Sequence, residues 1–78
     1  MKIVLVEWVD SYFGRGWSDN DVLIEETKEK FVCTSVGWLM NENKDFILIV
    51  PHRSKNQGSG NITIPKSCVI SMKTLRSR

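Results

Sequence analysis

The sequence predicts a mainly β domain, five short strands rolled into a small barrel, with a short helix or turn after the first strand. Three observations point there. Short runs rich in apolar, β-branched and aromatic residues recur along the chain, each bounded by Gly, Pro, Asn or Asp. No segment holds a helical apolar period for more than about two turns. The C-terminal part reads strand, proline-started turn, strand across residues 61–75.

Residues 2–9 place Val4, Val6 and Trp8 on one face and Ile3, Leu5 and Val9 on the other, interrupted only by Glu7. A strand apolar on both sides is covered on both. Residues 10–16 read as a loop, with Gly14 and Gly16 allowing unusual backbone angles. Ser18 begins the one segment with helix-start chemistry. Its hydroxyl suits the free N–H groups of a first turn, and Asp19 and Asp21 suit the positive end of the helix dipole. One or two helical turns are expected near 19–25, and irregular chain or a turn over 26–30.

Residues 31–40 form the longest predicted strand, with Val32, Thr34, Val36, Trp38 and Met40 on one face. Gly37 in its middle marks a bend, a bulge or the close approach of another backbone. The polar turn at 41–44 sends residues 45–50 back as a hairpin partner, apolar on both faces and therefore central. Pro51 ends that strand, and residues 53–60 read as a flexible tract too polar to pack. Residues 62–64 are a short strand, 65–68 a single 3₁₀ turn, and 69–75 the last strand, with Ile70 and Met72 expected to point inward. Five strands with a 3₁₀ turn before the last describe a small SH3-like barrel, whose closure removes exposed sheet edges.

At 78 residues the chain makes one domain, 1–78, near the lower limit for a self-sufficient core. Cys33 and Cys68 lie in apolar runs outside any metal-ligand spacing, so two reduced core cysteines are expected and no metal or cofactor. Glu7 and Asp10 interrupt the first apolar run before it could serve as a leader, and no run is long enough to span a bilayer. Those features predict a cytoplasmic protein that does not engage membranes. Residues 1–45 carry all nine acidic groups against five basic ones, a balance of −4, while 46–78 carry six basic groups and no acid. Such a split favours head-to-tail subunit contacts or an anion-binding face.

Two resemblances add to this reading. The stretches EWVDS, GWSDND, CTSVGWLMNENKD and NITIPKSCVISMKTL resemble a group of short uncharacterised bacteriophage and prophage proteins, which implies a bacterial host cell. The closing ITIPKSCVISMKTL is similar to the final strand–turn–strand of SH3-like barrels, among them the Sm-like (Hfq/Lsm) proteins, which form rings and bind RNA. Lys66-Ser67 stands at the place where Hfq carries a Lys-His pair, and the Arg-Gly signature of the Sm proteins is absent.

Catalysis finds little to work with. His52 is the sole histidine and borders the polar tract, a poor support for a base, and Gly58-Ser59-Gly60 lacks the spacing of a phosphate loop. No catalytic residue is assigned and the chain is read as a non-enzyme. Arg53, Lys55, Lys66, Ser67, Lys73 and Arg76 are candidates for nucleic-acid or anion contacts, with Tyr12, Phe13 and Trp17 as exposed aromatic contacts. Trp8 and Trp38 are expected in the core. The preferred function is a self-associating, non-enzymatic binding or assembly module of phage type; the alternative is an Sm-like protein binding RNA or single-stranded nucleic acid. The expected partners are further copies of the chain, then RNA or a host protein.

Overall fold

The structure, a computed structural model, describes residues 1–11, 14 and 16–76. Its elements are β1 (Ile3–Asp10), α1 (Asn20–Glu26), β2 (Phe31–Glu42), β3 (Phe46–Val50), β4 (His52–Arg53), β5 (Gly58–Ser59), β6 (Ile62–Pro65), a 3₁₀ turn (Lys66–Cys68) and β7 (Val69–Leu75). Five strands form one antiparallel sheet in the order β6-β3-β2-β1-β7, and β4 pairs with β5 separately. The mainly β expectation holds.

Alternation along β1 sends Val4 and Val6 inward, where they meet Ile47 and Ile49 of β3 and Ile64 of β6. Strands β1 and β3 are separated in the sheet by β2, so their side chains meet only because the sheet bends over on itself. Gly37 sits at the bend, paired with Val4. A Cβ there would lie 2.5 Å from Ile49 Cγ2 and 2.9 Å from the Val50 carbonyl oxygen. Register shifts between Leu39 and Asn41, and between Glu7 and Trp8, add local twist. Trp8, Leu39, Ile62, Cys68 and Val69 pack around this core. Trp8 Nε1 donates to Ser35 Oγ at 3.0 Å, which satisfies its one polar atom. Both cysteines are free and half-buried.

The two edge strands, β6 and β7, follow one another in the chain through the three-residue turn. Among the described residues no ladder joins them, so the expected closure by backbone pairing is not seen. The Lys66 N–H donates to the Asp45 carbonyl at 2.8 Å and anchors that turn to the β2–β3 connection. Asn43 shapes the connection itself, its side-chain oxygen accepting from the N–H groups of Asp45 and Phe46.

Four details correct the sequence reading. Residues 53–60 are not a loose tract: His52 pairs with Ser59 and Arg53 with Gly58, and the Ser54 N–H donates to the Gln57 carbonyl at 2.8 Å. Gly58 makes this possible by lying against buried Val50, where a Cβ would come within 2.9 Å of Val50 Cγ1. In β7, Val69 takes the inward place, because the register shift skips Ile70 and leaves it exposed; Met72 lies opposite Val6 but is also exposed. The residue preceding the first turn of α1 is Asp19, not Ser18, and its side chain makes no capping hydrogen bond. Pro65 closes β6 by pairing with Phe46 and precedes the 3₁₀ turn instead of opening it.

Candidate interaction surface

The face of the sheet turned away from the core has an unusual composition. Leu75, Ile3 and Trp38 lie side by side across β7, β1 and β2, and Lys73, Leu5 and Val36 form the next row. Ser71, Glu7 and Thr34 follow, and then Val9 beside Val32. Apart from Glu7 and Lys73 the face carries no charge, yet Ile3, Val32, Val36 and Leu75 are each between 39% and 49% exposed.

At one end this face is roofed. The Arg53 guanidinium carbon lies 5.5 Å from the centroid of the Trp38 ring, within cation–π range. The β4–β5 ladder thus covers Val50 and Trp38 and brings a positive charge onto the apolar surface, while Lys73 lies in the adjoining row on the far side of β1. Trp38 is therefore half-buried beneath an arginine on the outer face and is not a core residue, whereas Trp8 packs on the core as expected.

The remaining sequence candidates disperse. Lys66 forms an ion pair with Glu42, Nζ to Oε2 3.0 Å, beside a shallow depression of about 300 Å³ that Ile47, Val69 and Met72 also line. Its charge is matched locally. Ser67 is exposed on the 3₁₀ turn, Lys55 lies between β4 and β5, and Arg76 follows β7; all three are solvated. Tyr12 and Phe13 lie outside the described residues. Trp17 is fully exposed.

Helix α1 is the second unusual surface. None of its residues is buried, and Val22, Leu23 and Ile24 are 45% to 62% exposed. The helix and its approach are acidic through Asp19, Asp21, Glu25 and Glu26, and Lys28 is engaged with Glu25 at 3.0 Å. Among the described residues no group of three or more His, Cys, Asp or Glu side chains could hold a metal ion, and no helix is long and apolar enough to cross a membrane.

The sequence did carry a signal for the outer face. Residues 3–9 and 31–40 are apolar on both sides, the pattern of strands covered twice. Among the described residues one of those covers is complete, while the other reaches only the Trp38 end of the face. The chain matches no protein-family model, no curated protein and no solved structure.

Proposed function

We propose that the chain is a non-enzymatic binding and assembly module that self-associates, built on an SH3-like barrel plan of phage type. The observation that carries it is the exposed apolar outer face of β7-β1-β2. Contiguous apolar surface on a small domain marks a place of contact with another macromolecule. The sheet order, with both edge strands meeting at a 3₁₀ turn, supports the SH3-like reading. The test is the mass of the purified chain in solution across concentration and salt. Oligomers that loosen as salt rises support the proposal, since the chain's halves are oppositely charged. A strictly monomeric chain at high concentration overturns it.

A second reading, binding of RNA or another single-stranded nucleic acid, is favoured by Arg53 on Trp38 with Lys73 in the next row. A planar guanidinium held on an indole, with a second cation in the next row, suits a stacked base and a phosphate backbone. Retention of single-stranded RNA that falls steeply with salt supports it. Absence of binding at low salt removes it, because phosphate contacts are strongest there.

A further inference from the structure

A seven-residue helix with no buried side chain has little reason to persist in water. Isolated helices shorter than about 12–15 residues are marginal, and most helical stability in proteins comes from packing. Helix α1 therefore needs a cover, and so does the outer face of β7-β1-β2. The two surfaces match in character: each is apolar, α1 carries Asp21 and is approached through Asp19, and the far end of the face carries Lys73 and Arg53.

The helix cannot reach that end of its own sheet. It joins β2 at Phe31, whereas Trp38 and its neighbours Ile3 and Leu75 lie about 23 Å further along the ladder, at roughly 3.3 Å per residue. Only residues 27–30 separate α1 from β2. Turn hydrogen bonds from the N–H groups of Thr27, Lys28 and Glu29 to the carbonyls of Ile24, Glu25 and Glu26 keep them coiled. The near end of the face is also the wrong one electrostatically, because Glu7 stands there.

We infer that two copies of this chain pair reciprocally, the α1 of each lying across the outer β7-β1-β2 face of the other, with its acidic side toward Lys73 and Arg53. The inference rests on the self-association proposed above and assigns its surfaces. Reciprocity follows from area. One short helix on one sheet face falls below the roughly 1,200–2,000 Å² of a stable interface, and a two-fold axis doubles the contact while closing the assembly.

The test is sedimentation equilibrium on the full chain with Ile24→Glu on the helix, Val36→Glu on the face and Lys73→Glu at its basic end, folding being checked by far-UV circular dichroism. The wild-type chain is expected at twice its monomer mass. Ile24→Glu and Val36→Glu are each expected to be monomeric, and their equimolar mixture to pair far more weakly than the wild type, since a mixed pair keeps only one of the two helix-on-face contacts. Lys73→Glu, on an exposed strand position, is expected to weaken the dimer by about fivefold or more at low salt, and less at high salt; it carries the test of the face if Val36→Glu fails to fold. An oligomeric wild type unaffected by Ile24→Glu, Val36→Glu and Lys73→Glu overturns this interface and leaves self-association standing. A dimer lost with Val36→Glu but kept with Ile24→Glu shows face on face and overturns it too. A mixture that dimerises as tightly as the wild type shows that one contact suffices and overturns reciprocity. A wild type monomeric at every concentration, whether or not its face retains single-stranded RNA, overturns both the interface and the self-association.

Discussion

A single absent methyl group at Gly37 decides whether the sheet can bend over its core. Its neighbours there are the Ile49 side chain and the backbone of Val50, and backbone cannot step aside cheaply. Gly37→Ala is expected to lose about 2 kcal/mol or more by overpacking, a large part of the roughly 3–5 kcal/mol a core of this size supplies. Urea denaturation reads that loss as a lowered midpoint. Ser35→Ala is milder. It removes the acceptor of the Trp8 indole N–H, which is half-buried, and should cost about 1 kcal/mol in the same assay. Glu42→Gln breaks the ion pair with Lys66, but both side chains are about two-fifths exposed, so the change should stay under about 1 kcal/mol and shrink further in salt. The three residues rank by what surrounds them, with packing against backbone outweighing a partly buried hydrogen bond, and that outweighing a solvated charge pair.

Among the elements, the apolar β-branched runs bounded by turn residues are the most legible. Residues 69–75 are expected and found with the same limits, and β1, β2 and β3 lie within two residues of their expected limits, because Gly, Pro, Asn and Asp mark where a strand can end. Legibility failed where backbone geometry outranks side-chain pattern. The skipped Ile70 follows from a register shift, and the β4–β5 ladder rests on the fit of Gly58 against Val50, neither of which leaves a hydropathy trace. The candidate site was legible only in part. Arg53 and Lys73 are named from the sequence, but the meeting of Arg53 with Trp38 depends on that ladder. Helix α1 was placed within one residue, yet its lack of packing was invisible, since consecutive Val22, Leu23 and Ile24 look like core. In dilute solution its amides should exchange with solvent far faster than those of β1, which is paired on both sides, and should gain protection as concentration rises. Hydrogen exchange followed by mass spectrometry reads both rates at once.

The whole molecule is longer than its size warrants. Its radius of gyration is 15.9 Å and its longest extent 50 Å, against about 11.5 Å for the radius of a compact 78-residue domain. The excess agrees with an α1 that buries none of its side chains and touches its own sheet only near the end of β1. The sheet order carries a mechanical consequence as well. Ile3 pairs with Leu75 and the ladder proceeds inward from there, so residues near the two ends of the described chain meet at one corner of the sheet. Tension applied between those ends would load the hydrogen bonds of β1–β7 one after another, as a zipper opens, and never all together in shear. In an optical trap the fold should therefore give way at low force, and Gly37→Ala, which leaves that ladder untouched, should lower chemical stability far more than it lowers the force at which β7 peels away.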